Sequence, residues 1–236
     1  MAPTAPQERR MECRAFGVVR GSQQEVSQKL AELMCILRAS CTTCGQFETL
    51  EMVYSVPVKS GTDVTTLRLS RRQAKHSAPP RSQSISPFAA PTVEGWLVQH
   101  EGAPMRGPAV AALPAAVREI TESECHSPHA PDFFSNLGAK HEYTLEKSGN
   151  DYLCIHEGFE MRAAIVNAST IPAHLIKQQQ AGVPVKGKSL GCYVMDVYTR
   201  VGEGQHVAAC QAVGTFGELL AGLVTLQPAL IPINAL

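Results

Sequence analysis

Apolar residues recur with two different periods along this chain, and the switches between them mark its elements. Glu12 to Arg20, ECRAFGVVR, reads as a β-strand closed by Gly21-Ser22. Over Gln24 to Ala39 the apolar residues Val26, Leu30, Leu33, Met34 and Leu37 fall three and four apart, with Glu25, Gln28, Lys29 and Glu32 between them. That spacing predicts a helix with one buried stripe. Ser22 is placed to cap it, with Glu25 three residues on to complete a capping box.

A period of two then takes over. Phe47 to Val58 is rich in β-formers and breaks near Pro57, while Leu67 and Leu69 alternate with Arg68 in Thr65 to Ser70, so the two segments predict a hairpin. From 71 to 91 Ser, Pro, Arg and Ala dominate without apolar period, predicting a disordered insertion or long loop between strands. Trp96-Leu97-Val98 and Ala109 to Thr121 read as further strands, with Pro114 at a bulge or edge.

The most informative block is Pro131 to Asn167, which reads as one or two helical turns followed by three consecutive strands. Within it His141, Tyr143 and Leu145 alternate with Glu142, Thr144 and Glu146. Ser148-Gly149-Asn150-Asp151 and Glu157-Gly158 have the composition of hairpin turns. Residues 169–189, with three glutamines and AGVPVKGKS, predict an exposed connection. Gly191 to Val201 reads as an apolar central strand, and His206 to Leu226 as a second helix whose stripe includes Val207, Cys210, Phe216, Leu220, Leu223 and Val224. The sum is an α+β fold, mainly β, with two helices and about eight strands. One domain is expected over 11–236, preceded by a loose N-terminus at 1–10.

Composition adds constraints. Hydrophobic residues make up 44% of the 236 and charged ones 18%, enough apolar surface for a sizeable core. Lys plus Arg equals Asp plus Glu at 21 each, so no global charge calls for nucleic acid or an anionic membrane as partner. No run of eighteen apolar residues occurs, and MAPTAPQERRMECRAF lacks the apolar stretch of a signal peptide, so neither membrane insertion nor secretion is expected. The 8 cysteines are scattered in apolar settings, as thiols are in a reducing compartment, and no structural disulfide is expected.

Candidate chemistry is sparse. Cys41 and Cys44 have the spacing of a zinc half-site, but the nearest complement, Cys125, His126 and His129, lies roughly 80 residues away, far beyond the usual separation of zinc-ligand pairs. A helix terminus that happens to carry cysteines is the commoner meaning. Glu142 and Glu146 share a strand face and could be joined by Glu12, Glu160 and Arg162 in a polar barrel interior. Residues four apart on a strand are about 13 Å apart, too far to hold one metal, and charged strand residues more often form a solvated outer face. His141 and His156 sit in strands without a nucleophile beside them, and neither a P-loop nor GxGxxG is present, so catalysis is unsupported. Arg71-Arg72-Gln73-Ala74-Lys75 is a small basic cluster leading into Ser82, Ser84 and Ser86-Pro87, more often a solvated loop than an import signal or phosphosite. Leu230, Ile231 and Ile233 are too apolar for a free tail and are the candidate contacts with this protein's own surface or a partner's.

Several strings, taken in order, resemble the Mediator subunit 18 family of RNA polymerase II transcription. They are LAELMCILRASC, EMVY at Glu51 to Tyr54, LRLSRR at Leu67 to Arg72, WLVQHEGAPM at Trp96 to Met105, DFFSNLGAKHEYTLEKSGNDY, and YVMDVY before the last helix. The resemblance runs almost end to end and implies a single antiparallel β-barrel flanked by helices, similar to the triphosphatase-tunnel architecture. It implies a nuclear, non-catalytic subunit of the Mediator head that pairs with the related barrel of subunit 20, docks through a C-terminal segment of subunit 8, and faces RNA polymerase II. No cofactor, metal, membrane or direct nucleic-acid contact is expected. The related enzymes carry Glu-x-Glu-x-Lys on a barrel strand. Here Glu12 is followed by Arg14, and Glu142, Glu146 and Lys147 have the wrong spacing, with Lys147 on the opposite face. The alternative is a metal-dependent triphosphate hydrolase with Glu12, Glu142, Glu146 and Glu160 in its lumen.

Overall fold

The computed structural model describes residues 10–57, 64–72, 95–171 and 188–230. Strand β1 (Arg10–Val19) leads through Gly21 into α1 (Gln23–Ser40). The predicted capping box is present: the Glu25 backbone N–H donates to Ser22 Oγ, and the Ser22 N–H donates to the Glu25 carboxylate at 2.6 Å. Long strands follow, β2 (Thr43–Pro57) and β3 (Val64–Arg72), then β4 (Trp96–Glu101), the short helix α2 (Pro108–Ala111) and β5 (Ala116–Cys125). Helix α3 (Ala130–Asn136) precedes β6 (Lys140–His156), β7 (Phe159–Ile171) and β8 (Lys188–Gly202), and the described chain ends with α4 (His206–Leu219) and the two-residue β9 (Gln227–Pro228).

All pairings are antiparallel, in the order β5-β4-β3-β2-β6-β7-β8-β1, and β1 pairs back to β5, so eight strands close into a barrel. The expected antiparallel barrel flanked by helices is therefore the fold. Closure leaves β1 with an unpaired stretch, because β5 covers its edge only along Arg10 to Arg14. β9 fills the next two positions opposite Ala15 and Phe16.

Two apolar clusters lie on the outside of the barrel. One joins Cys13, Ala15, Met161, Ala163, Met195 and Val197 to Leu33 and Leu37 of α1 and to Cys210, Val213 and Phe216 of α4. The other puts Leu50, Met52, Tyr54, Leu69, Trp96 and Val98 under Ala130 and Phe134 of α3. The helices thus bury the outer face. The alternate residues of the same strands point inward, by the two-residue strand period.

Five expectations need correction. Ser148 to Asp151 is not a turn, since β6 runs unbroken for 17 residues and Gly149 pairs with Val166. Its glycine serves close approach: a Cβ there would lie 1.9 Å from the Ile165 carbonyl oxygen. The Glu157-Gly158 turn does form, with φ of 48° and 81°, the two positive values of a tight type I′ hairpin. Ala109 to Thr121 splits into α2 and β5, because Pro108 starts a helical turn and Pro114 separates it from the strand. The last helix stops at Leu219 rather than Leu226, followed by Gly222 at φ 89°. Arg71 and Arg72 belong to β3, not to a loop, as do 169–171 to β7 and 188–189 to β8; residues 73–94 and 172–187 lie outside the described residues, as do 1–9.

Candidate functional site: the ion-paired barrel lumen

The inward positions carry charge. On β1 and β8 the register sets Glu12 opposite Arg200 and Arg14 opposite Tyr198. Arg200 donates from Nε to Glu12 at 3.1 Å and from Nη1 to Glu122 of β5 at 2.7 Å. Arg14 grips Asp196 through both Nε, at 2.8 Å, and Nη2, and lies 3.5 Å from Glu12. Arg14 and Arg200 both stack on the Tyr198 ring, at 5.5 and 5.2 Å from its centroid.

A second network lines β2, β3, β4 and β6. Arg68 donates from Nη1 to Glu51 at 2.8 Å and from Nη2 to Glu101 at 3.2 Å, and Lys147 Nζ donates to the other Glu51 oxygen at 2.7 Å. Across β6 and β7, Arg162 holds Asp151 through Nε and Nη2 and donates to the Tyr198 hydroxyl at 3.2 Å. Arg118 of β5 donates to the carbonyl of Ala229 at 3.0 Å, so the lumen also anchors the end of the described chain. Phe16, Ala116, Ala164, Val166, Val194 and Ala229 form an apolar plug beside these charges.

Burial of such groups is unfavourable unless each is paired and hydrogen-bonded. Burial alone would raise Glu51, but Lys147 and Arg68 outweigh it and pull its carboxyl down to about 2. Glu101 also ends below its ordinary value, because Arg68 overcomes the burial effect. Lys147 is pushed down by burial, with Glu51 opposing, and Glu122 is raised by burial despite Arg200. The carboxylates Glu12, Glu51, Glu101, Glu122, Asp151 and Asp196 each have a guanidinium or ammonium partner. The arrangement crosslinks strands by ion pairs, with each of these carboxylates engaged by a cation, although Glu122 Oε1 and the neighbouring Gln99 Nε2 are buried without a hydrogen-bond partner. Among the described residues no group of three His, Cys, Asp or Glu side chains is placed to hold a metal ion.

Only part of the expected lumen set is inside. Glu12 is buried there and Arg162 faces it, with Glu160 two residues along on the same face of β7 and partly buried. Glu142 and Glu146 point outward, Glu142 accepting from Ser55 at 2.6 Å and lying 3.5 Å from Lys140. The one-residue step to Lys147 crosses to the lumen, as the strand period requires. Cys41 packs against the outer cluster under α1 and α4, whereas Cys125 packs against the cluster under α3. His126 and His129 are exposed beside Glu124 and Asp132, so the zinc set does not assemble from these residues. His141 and His156 hydrogen-bond Thr144 and Thr215 and pack edge-on to Tyr54 and Phe216. Arg71 stacks 4.9 Å over Trp96, and Arg72 donates to the Gln46 carbonyl, so the basic cluster begins as part of the sheet. Leu230 is 60% exposed, while Ile231 and Ile233 lie outside the described residues.

The network residues Glu51, Glu101, Asp196 and Arg200 were not singled out in the sequence, and Arg14, Arg68 and Lys147 were named there only for their place along a strand. Their signal was a lone charge inside an apolar strand, as Glu51 in TLEMVY and Asp196 in YVMDVY.

The fold and its lumen define a class: a closed antiparallel β-barrel with an ion-paired interior and helices packed outside. A chain in the structure of the Schizosaccharomyces pombe Mediator head module shares the fold, with a TM-score of 0.62 at 17% identity over 93% of this chain and 98% of that one. A protein of Pyrococcus horikoshii matches at a TM-score of 0.48 and 15% identity, over 92% and 93% of the two chains. An RNA triphosphatase of S. pombe matches at 0.38 and 9%, over 94% and 88%. No protein-family model matches the sequence, and no curated protein matches it.

Proposed function

We propose that this chain is a non-catalytic structural subunit of the Mediator head module, of the subunit 18 kind. In this reading it bridges regulators and RNA polymerase II in the nucleus through protein–protein contacts. The observation that carries the reading is the agreement of two independent lines over almost the whole chain. One is the fold shared with a Mediator head chain, and the other is the ordered set of strings from LAELMCILRASC to YVMDVY. Its partners are subunit 20, the C-terminal segment of subunit 8 and other head subunits. A closed barrel has few free strand edges, so partners would be held by helices, loops and the exposed tail around Leu230, with Ile231 and Ile233 beyond it. No helix among the described residues is long and apolar enough to cross a membrane.

The lumen weighs against the alternative, a metal-dependent triphosphate hydrolase. A phosphate-and-metal tunnel needs carboxylates and cations free to meet a ligand, and here they are bonded to one another. Co-expression with Mediator subunits 20 and 8, followed by native mass spectrometry, tests the proposal. A stoichiometric heteromer is expected. A lone monomer in every combination would overturn it, and divalent-metal-dependent phosphate release by that monomer would establish the hydrolase instead.

A further inference from the structure

The wall between β1 and β5 is completed by the end of the described chain. β5 begins at Ala116, opposite Arg14, so the next positions of β1 have no partner on that side from β5. β9 takes the place, with Pro228 opposite Ala15 and Gln227 opposite Phe16. The Ala229 N–H then donates to the Arg14 carbonyl at 3.1 Å, and the Ala229 side chain joins Phe16 and Ala116 in the apolar plug. The root of this segment is fixed. Leu220 and Val224 are buried, and the chain lies so close to β1 that a Cβ on Gly17 would sit 2.5 Å from the Thr225 carbonyl oxygen. Its far end is not fixed, since Leu230 is 60% exposed directly after buried Ala229. With two paired residues, one of them a proline that has no N–H to donate, this is the shortest ladder of the described sheet.

One lumen cation holds it down. Arg118 Nη2 donates to the Ala229 carbonyl at 3.0 Å. Arg14, Arg68, Lys147, Arg162 and Arg200 each pair with a carboxylate. Among the described residues no ion pair joins Arg118 to one, because Glu12, opposite it on β1, is engaged by Arg14 and Arg200. Burial pushes the Arg118 guanidinium down, with Glu101 opposing. Burial also works against Arg14 and Arg68, but there Asp196 and Glu101 outweigh it and both end above the ordinary value. The main-chain carbonyl of Ala229 thus stands where the other lumen cations have an acid.

We propose that Gln227 to Leu230 form a releasable strap latched by Arg118: closed, it completes the barrel wall; open, it bares the Arg118 guanidinium and the β1 edge from Arg14 to Phe16. Opening does not require unfolding. The eight-strand ring already closes through the β1–β5 pairs at Arg10 to Arg14, so the strap can leave as a local event while the sheet persists. The same latch favours reclosure. With the strap away, Arg118 remains a buried cation near Arg14 and Arg68 without its acceptor, an unfavourable state that the returning carbonyl relieves. Leu230 is the exposed handle through which a contact outside the barrel reaches this lumen residue.

The test is amide hydrogen exchange of the full chain, read by NMR at Ala229 and at residues of the β6–β7 pair across a series of low urea concentrations. In the parent protein Ala229 should exchange at least ~10-fold faster than the β6–β7 amides, with little dependence on urea, the mark of a local opening. Arg118→Met should speed Ala229 exchange by a further ~10- to 100-fold, the worth of a hydrogen bond to a charged group, while the β6–β7 amides keep their rates. Arg118→Lys, which retains a charged donor, should restore part of the protection. Exchange of Ala229 at the rate and urea dependence of the β6–β7 amides would overturn the proposal, because the strap would then open only with the whole barrel. So would an Arg118→Met variant in which Ala229 is unchanged, or in which every amide speeds up equally. The parent measurement decides by itself if that variant does not fold.

Discussion

Arg68 faces Glu101 across the β3–β4 pair, Nε donating to Oε1 at 2.5 Å and Nη2 to Oε2 at 3.2 Å, while its Nη1 reaches back to Glu51 on β2. One guanidinium therefore neutralises carboxylates from both neighbouring strands. Arg68→Met removes a charge between two buried acids and should destabilise the protein by about 3–5 kcal/mol, because an uncompensated buried charge remains. Adding Glu101→Gln to that variant should restore part of the loss. Urea denaturation measures both, and a change under ~1 kcal/mol for Arg68→Met would refute the structural role of the network.

Acid should dismantle the same network. Glu51 has a folded-state value of about 2 against an ordinary 4.5, and Glu101 is lowered as well. A depressed carboxyl contributes stability that is complete above its unfolded value and is lost as pH falls through the folded one. Glu122, raised by burial, acts in the opposite sense and returns a little stability as pH falls. The melting temperature should thus hold from neutral pH to about 4.5 and drop between there and 2. Thermal melts across that range check it, and Glu51→Gln should flatten the profile.

Gly149→Ala places a Cβ against the Ile165 carbonyl, where the clearance is 1.9 Å. The β6–β7 pair has to open, and the loss should be about 1–3 kcal/mol or more. Gly45→Ala in β2 meets nothing within 4 Å and should stay within roughly 0.5 kcal/mol of the parent. Parallel denaturation curves separate the two, and equal effects would contradict the packing argument.

The tail divides at Ala229, which is buried in the plug, and Leu230, which is 60% exposed. Under the proposed scaffold role, Leu230→Asp should reduce recovery of partner subunits in co-purification while leaving the melting temperature within about 1 °C. Ala229→Asp should lower the melting temperature itself, since the new carboxylate enters the lumen. Glu142→Gln with Glu146→Gln, both on the outer face, should leave assembly intact. Loss of assembly by that pair without loss of folding would count against the scaffold reading.

Local pattern was enough for the elements whose neighbours agree with their propensity. Helix α1 and its Ser22-Glu25 box, the Glu157-Gly158 hairpin and the strand around YVMDVY follow from residues within a few positions of one another. Gly149 shows the limit. Ser-Gly-Asn-Asp has the chemistry of a turn, but the same glycine also permits close strand approach, and only the β7 backbone opposite it selects between the two. Pro108 and Pro114 likewise broke a predicted strand into a helical turn and a shorter strand.

By itself the sequence determined a mainly β chain with its period, one strongly capped helix and the placement of Glu142 and Glu146 on the strand face opposite Lys147, since alternation along a strand is a local property. Tertiary structure decided which face was inside. Charged strand residues are commonly the solvated face, but closure of the barrel against β5 turned that face into the lumen, and packing of α1, α3 and α4 buried the apolar one. Partners such as Arg14 and Asp196 are brought together only by the register of β1 on β8, and Arg200 and Glu122 only where β1 closes the ring between β8 and β5. Ion pairing is a relation between residues on different strands, so it entered the picture only with the strand register of the sheet.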